Sequence, residues 1–578
     1  MTLTTDRPTR SASGALVPVL AFAGIVVAVM QTLLVPVIKD LPQLLDTEPS
    51  NATWVLTSTL LSGAVATPIM GRLGDLYGKR RMLITSLAVM VVGALVSALT
   101  STLLPMIVGR TLQGFAMGAI PLGIGLMRDM LPRERLGSAM ALMSSSIGVG
   151  GGLALPAAAL VAQHTDWHAL FYGAAGLGVL AIALTLLVVP ESPVRAPGTF
   201  DLPGALGLSA GLVLLLLPVT KGSDWGWSSG TTLGLFAAAV LVLLLWGLME
   251  LRLAAPLVDL RTTARREVLL TNLASIMVGV SFYVVSLVLP QLLQLPSATG
   301  YGLGQSMVVA GLCVAPLGLT MMFTAPLYAR LSARYGPKTT LITGLVVIAV
   351  GYAGGLGLMD AAWQTVVTSV VLGAGIGLAY SSLPALIVGA VPASETGAAN
   401  GLNTLMRSIG TSVSSAVIGM VLADTANVTG GVAVPTMHGF RVSFLIATAA
   451  VAVGLLLALF LPGQRPSGKP QLRAASEEDA NLERATAALG GFRGRVLDAE
   501  GAPVAQARVT LIDHRGRRAG ATLSGADGGY ALAVSAAGPY VVAARAAGHA
   551  PHASAATHAG DDRLVELDLS LPGETVSA

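Results

Sequence analysis

The chain has 578 residues; 53% are hydrophobic and only 11% are Asp, Glu, Lys or Arg, under half the roughly 25% charged residues of an average soluble domain. Mean hydropathy is +0.74 and the formal net charge +4. These values exclude a disordered chain, a basic nucleic-acid binder and an ordinary soluble enzyme.

The charge is clumped. Ser11–Ile38 and Met82–Gly109 each run 28 residues without a charge, Leu136–Thr165 runs 30, and Val268–Ala329 runs 62. About 20 apolar residues span a bilayer as a helix, and the first run is too long and too well followed for a signal peptide. In chain order the pattern predicts fourteen spans, near 15–38, 52–70, 82–101, 104–127, 138–162, 168–190, 203–220, 230–250, 269–293, 305–329, 339–359, 364–389, 399–423 and 439–462. They are helices because backbone amides in hydrocarbon must pair within their own segment. With residues 1–14 as a cytoplasmic tail, inner loops and tail hold 17 Lys and Arg and outer loops three. This bias puts both termini in the cytoplasm, in the inner cell membrane. The single Cys313 falls within a span and allows no intramolecular disulfide.

An offset of about 260 residues relates two parts of the chain. Pro68-Ile-Met-Gly-Arg72-Leu-Gly-Asp75-Leu-Tyr-Gly78-Lys79 aligns with Pro326-Leu-Tyr-Ala-Arg330-Leu-Ser-Ala333-Arg-Tyr-Gly336-Pro-Lys338. Gly114 and Pro121 recur as Gly377 and Pro384, and Ser146-Ile-Gly148 as Ser408-Ile-Gly410. The expected fold is all-α in the membrane: a six-helix half over 15–190, an inserted pair with its loops over 191–268, and a second half over 269–462. A substrate site is expected where the halves meet.

Gly71-Arg-Leu-Gly-Asp75-Leu-Tyr-Gly78-Lys79-Arg80-Arg81 follows span 2. Gly71 and Gly78 permit a tight turn and close helix contact. Asp75 can accept from N–H groups at a neighbouring helix end, and the basic run can anchor the cytoplasmic face. With Arg110-Thr-Leu-Gln113-Gly114 in span 4, Asp166-Trp167-His-Ala-Leu-Phe171 before span 6 and Asn403-Thr-Leu-Met-Arg407 in span 13, this loop resembles the signature of the major facilitator superfamily. The fourteen spans are similar to its EmrB/QacA-type drug:proton antiporter branch. The resemblance implies alternating access, with Asp75, Lys79 and Arg80 latching the cytoplasmic side and Asp129 as an ionic partner. Span 5 of the family carries Gly-Pro-x-x-Gly-Gly; here Gly148 to Gly152 precede Pro156, which can still kink the span.

All 17 Asp and Glu before residue 463 fall in loops or at span ends, whereas Arg110 and Arg407 lie inside spans. Where the family's first span carries Asp, this chain has Gln31, which cannot titrate. Arg110 and Arg407 stay charged and must meet carbonyls, water, a partner or substrate. Gln31, Gln113, Tyr283, Gln291, Tyr380 and Asn403 are candidates for the substrate cavity or for interhelical bonds. Asp40, Asp75 and Asp129 are candidates for proton coupling. A cavity with arginine and no acid favours neutral or anionic cargo. The expected partners are a small-molecule substrate, protons and the bilayer, with the chain a monomer that needs no metal or cofactor. The functional expectation is proton-driven efflux; transport of a specific metabolite in either direction, and a transporter-like sensor or scaffold, remain open.

After Pro462 the composition turns soluble. Residues 463–485 read as a linker. From 486 to 578, short alternating runs such as Phe492–Leu497, Ala507–Ile512, Tyr530–Val534 and Tyr540–Ala544 are separated by Asp498-Ala-Glu-Gly501, His514-Arg-Gly516 and Asp527-Gly-Gly529, the pattern of a small β-sandwich. This segment resembles the carboxypeptidase regulatory-like (transthyretin-like) domain, which implies a non-catalytic module able to dock a protein. His514, His549 and His552 lack metal-ligand spacing. No P-loop is present to make ATP the energy source.

Overall fold

A computed structural model describes residues 12–34, 37, 40–253, 255–429, 432–462, 491–514, 518–525, 527–534, 537–546, 549–559 and 564–572. The N-terminal residues 1–11 and the linker at 463–485 lie outside it. The chain forms two units, residues 1–467 and 468–578.

The first unit is helical. Its first half comprises α1 (Ala12–Thr32), α2 (Trp54–Tyr77), α3 (Lys79–Ala98), α4 (Leu103–Gly114), α5 (Ala119–Met130), α6 (Arg133–His164) and α7 (Ala169–Val188). The inserted pair is α8 (Leu202–Trp225) and α9 (Gly230–Glu250). The second half comprises α10 (Arg266–Gln294), α11 (Met307–Phe323), α12 (Ala325–Gly355), α13 (Ala362–Ala390), α14 (Thr396–Asp424) and α15 (Met437–Leu459). Among the described residues, thirteen helical stretches are long and apolar enough to cross a membrane, and one of them, Met307–Gly355, has 49 residues. The helices keep large apolar side chains outside, Leu99, Leu104, Leu187 and Phe323 among them, which only lipid can cover without cost.

Span 4 is not one regular helix. A 3₁₀ turn, Phe115–Gly118, joins α4 to α5. Gly114 sits just before it, packed so closely on α2 that a Cβ would lie 2.7 Å from Thr59 O. Pro156, expected to kink span 5, lies inside a continuous α6. Lys221, read from the sequence as an outer-loop residue, is instead buried within α8. Its ammonium bonds Thr53 Oγ1 and Asp224 and lies 5.1 Å from the centre of the Trp54 ring, so one more helical turn holds the charge without exposing it to lipid. Before α7, Asp166 Oδ1 accepts from His168 N at 2.8 Å. This backbone bond, followed by the His168 ring, holds the Asp166 carboxyl below the usual carboxylate range.

The repeat has a backbone counterpart. Between α2 and α3, Gly78 has φ 116; within α12, Gly336 has φ 84 and ψ 162 and interrupts the helix. Both positions of the alignment thus reverse the chain through a conformation that side chains resist. The following basic residues cap equivalent helix ends: Arg80 donates to Leu186 O of α7 at 2.7 Å, and Lys338 to Leu459 O of α15 at 3.0 Å. Glycines bring the halves together at two matching seams. A Cβ on Gly71 of α2 would lie 2.3 Å from Gly397 O of α14, and one on Gly318 of α11 would lie 2.0 Å from Gly148 O of α6. Such small-residue contacts let helix backbones approach in a membrane. The α8–α9 pair joins the α2–α14 seam through Ala205, Leu208 and Leu212, packed with Ala64, Leu402 and Leu405.

In the first unit, a hairpin of β1 (Ala426–Thr429) and β2 (Val432–Pro435) precedes α15. The second unit is a sandwich of two four-stranded sheets, ordered β10-β3-β6 with β9 also on β3, and β5-β4-β7-β8. Its strands are β3 (Gly491–Asp498), β4 (Arg508–Asp513), β5 (Arg518–Leu523), β6 (Gly529–Ala533), β7 (Gly538–Arg545), β8 (His552–His558), β9 (Leu564–Glu566) and β10 (Leu569–Leu571). Phe492, Val509, Leu511, Leu532, Val542 and Leu569 form its core. Asp498 closes one predicted turn by accepting from Ala502 N at 2.7 Å, with Gly501 at φ 82.

Candidate gating and substrate site

At the loop end of α2, Asp75 is fully buried. Its two oxygens accept from Gly397 N at 3.0 Å and Ala398 N at 2.8 Å, in the first turn of α14. Those amides have no partner within their own helix, and the helix dipole favours a carboxylate there. Gly71 and Gly397 make the approach possible: a Cβ on Gly397 would lie 2.5 Å from Gly71 O and 2.8 Å from Asp75 Oδ1.

Behind Asp75 stands Lys79, fully buried rather than lying on the membrane face. Its ammonium is 3.4 Å from Asp75 and 2.6 Å from Asp129. Asp129 also accepts from Ser192 Oγ at 2.5 Å, and Glu191 accepts from Arg80 N and Arg81 N at 2.9 and 3.2 Å. Gly78 has no room for a side chain beside that Glu191 carboxylate, since a Cβ there would lie 2.9 Å from it. Arg128 makes a second bridge between halves, donating to Val391 O at 2.8 Å, Pro392 O at 3.1 Å and Thr396 Oγ1 at 2.5 Å. Sequence reasoning missed Arg128, Glu191 and Ser192. The available signal was weak: Arg128 adjoins Asp129, and Glu191 is the first acid after span 6, on the side of the basic run.

The two intramembrane arginines have different surroundings. Arg110 donates to Met30 O at 3.2 Å, Val55 O at 3.4 Å and Gln113 Oε1 at 2.6 Å, while Gln113 donates to Ser97 Oγ at 3.2 Å. Arg110 and Gln113 together thus tie α1, α2, α3 and α4. Arg407 donates to Asn403 Oδ1 and Thr404 Oγ1, both at 3.2 Å, and lies 5.0 Å from the centre of the Tyr380 ring, within cation–π range. Asn403 in turn donates to Asn272 Oδ1 at 3.0 Å and Ser275 Oγ at 2.7 Å. Phe282 packs on Tyr380 at 5.6 Å between centroids. The second half therefore holds a buried cation beside aromatic rings and amides, with no carboxylate in the network. Asn272 and Ser275 had not been singled out from the sequence, because uncharged polar residues are common in spans.

The remaining candidates scatter. Tyr283 meets Ser415 Oγ at 2.9 Å. Gln31 and Gln291 are half-buried, and Asp40 is exposed before the turn Leu41–Leu44. Pro156 packs on Gly311 of α11, where a Cβ would lie 3.4 Å from its ring.

The sequence profile of the Major Facilitator Superfamily matches residues 20–315 and again 271–513. The chain belongs to the Major Facilitator Superfamily. As a member of it, the protein is a multi-pass secondary transporter and not an enzyme. Residues 491–572 match the carboxypeptidase regulatory-like domain. The tetracenomycin C resistance and export protein of Streptomyces glaucescens is 29% identical over 381 residues, covering 65% of this chain and 69% of that protein. The "Probable actinorhodin transporter" of Streptomyces coelicolor is 31% identical over 389 residues, covering 63% of this chain and 65% of that one. Among solved structures, the human organic anion transporter MFSD10 superposes with a TM-score of 0.54 at 14% identity, over 78% of this chain and 100% of that chain; this likeness shows the fold.

Proposed function

We propose that this transporter exports small amphipathic organic compounds of neutral or negative charge, driven by the proton gradient, by alternating access across the inner cell membrane. The observation that carries the alternating-access reading is the Asp75 carboxylate on the first turn of α14, at a glycine seam where only backbone separates the halves. It supports a latch that holds one end shut and must break when that end opens. Lys79, Asp129 and Arg80 support the latch from behind, Arg128 reinforces it, and Gly114 and Pro156 shape the helices that rock. By the Lys and Arg bias this end is cytoplasmic, as are both termini. The break at Gly336 in the 49-residue stretch supports reading it as two crossings, for a total of fourteen among the described residues.

For cargo, the Arg407–Tyr380–Asn403 network offers a cation, an aromatic face and amides. That set suits an aromatic compound bearing oxygen or negative charge and repels lipophilic cations. The two Streptomyces relatives, one named as an export protein and the other as a transporter, support efflux. Gln31, Tyr283 and Gln291 are the further cavity candidates, whereas Arg110 and Gln113 position helices. Proton coupling falls to Asp75 and Asp129, or to Asp40 at the outer mouth, since Gln31 cannot titrate. The chain acts as a monomer, and its β-sandwich docks a protein partner in the cytoplasm. Flux into everted vesicles tests this: neutral and anionic aromatic compounds accumulate with a proton gradient and stop with its collapse. Robust ethidium transport that anionic competitors leave untouched would sink the cargo assignment.

A further inference from the structure

We infer that Asp201 and Glu250 form one proton-binding site at the base of the inserted α8–α9 pair. The inference goes beyond the transport reading and holds whether or not protons drive flux. Helix α9 leaves most of its side chains exposed or half-buried; Thr232, Ala239 and Glu250 are its buried residues. Burying a carboxyl on such a helix demands a reason. Glu250 is 2% exposed and faces the carboxyl of Asp201, the residue that precedes α8. Both groups converge above Gly204: a Cβ there would lie 2.0 Å from Asp201 Oδ2 and 2.5 Å from Glu250 Oε1. Asp201 Oδ1 is occupied, accepting from Gly204 N at 2.9 Å. Asp201 Oδ2 and both oxygens of Glu250 are buried and complete no hydrogen bond of good geometry, although the Leu257 and Val258 amides approach Glu250.

Two carboxylates this close, out of water and without a cation, cannot both stay ionised. A shared proton removes the repulsion and supplies the missing donor. The other charged groups nearby are accounted for. Arg252 is exposed. Asp259 and Arg261 share a small cavity with Glu250, but Asp259 caps the turn Leu260–Thr263 and Arg261 donates to Leu251 O at 3.1 Å. Arg72 and Glu395 face an adjoining cavity of about 180 Å3, which shares Pro256 and Asp259 with the first and whose walls include Leu257 and Val258 but not Glu250 or Asp201. Among the described residues no basic side chain forms an ion pair with Asp201 or Glu250.

The site also has a mechanical consequence. Leu257 and Val258, beside Glu250, pack in the cluster that seats α8 on α2 and α14. A proton bound only by the folded base stabilises that seat wherever the pH loads the pair. Stripping it as pH rises restores the repulsion, so stability falls toward alkaline pH.

The test uses the full chain in lipid nanodiscs, with E250Q and D201N as variants; Asn keeps the helix cap. Infrared difference spectra between acidic and alkaline buffer are expected to show, beside any contribution of Asp75 or Asp129, a protonated-carboxyl band that titrates in wild type and is lost in both variants. The melting temperature of wild type is expected to fall as pH rises from about 5 to 8, and both variants to flatten that slope. A wild-type spectrum without such a band, or variants that keep both the band and the slope, would overturn the inference. Neither readout involves transport, so a band present with no proton-driven flux sinks only the transport reading.

Discussion

At the residue scale, the proposed latch is a chain of buried charges, and its middle member is the most sensitive to perturbation. Lys79 is the cation shared by Asp75 and Asp129. Lys79→Met leaves two buried carboxylates without it, and removing one partner of a buried pair costs about 3–5 kcal/mol. Thermal unfolding in detergent checks this, and D75N combined with Lys79→Met is expected to cost less than the sum of the single changes. Arg110 makes a different prediction. Its fork reaches Met30, Val55 and Gln113 at once, a geometry that an ammonium cannot copy. Arg110→Lys is therefore expected to cut flux at least about tenfold, a barrier change of some 1.4 kcal/mol, while protein levels in the membrane stay unchanged. Asp75 was legible in the sequence because a lone acid between glycines precedes a basic run. Its acceptor role was legible too, but the identity of the receiving amides was not, since they lie 322 and 323 residues away and a backbone N–H carries no sequence label. Arg407 was legible as an oddity in an apolar span, while the Asn272–Ser275 side of its network was hidden among ordinary polar residues.

At the element scale, the spans could be read from uncharged runs because hydrocarbon tolerates little else. What escaped was local: the 3₁₀ turn in span 4, whose residues Phe115–Gly118 look like any small apolar segment, and the extension of α8 past Lys221, where Thr53, Asp224 and Trp54 supply the partners. The repeat at Gly78 and Gly336 could be read as sequence, and its meaning as a pair of left-handed reversals became plain only in the backbone. These two glycines predict an order of effects. Gly336→Ala forces a side chain into a left-handed conformation at about 1–2 kcal/mol. Gly78→Ala meets that strain and also the Glu191 carboxylate 2.9 Å away, so it is expected to cost more. Gly137, helical and with nothing within 4 Å of its Cβ position, is expected to gain about 0.5–1 kcal/mol on replacement by Ala. Melting temperatures of the three variants establish the ranking, and equal shifts at Gly78 and Gly137 would refute it.

At the scale of the whole molecule, the β-sandwich carries its own core from Phe492 to Leu571, and its strands pair only with one another. Residues 486–578 are expected to fold alone with a single cooperative transition, seen by circular dichroism. The transport unit holds instead two seams where glycine backbones touch, and by the proposed mechanism the size of one residue there is expected to decide which end of the bundle closes. Gly397 is the sharpest case, with Gly71 O and Asp75 Oδ1 both inside 3 Å of any added Cβ. A valine there pushes α14 from α2, removes the Asp75 bonds to the helix terminus and disfavours the closed state at that end alone, because the Gly148–Gly318 seam is untouched. Gly397→Val is therefore expected to shift the population toward the conformer open at the Asp75 end, not to unfold the protein. The single Cys313 makes the measurement direct. In a Cys313→Ser background, spin labels placed at residues 132 and 394, just before α6 and α14, report the separation of the halves at that end. Gly397→Val is expected to lengthen it. An unchanged distance distribution with normal flux would mean that the seam does not gate transport.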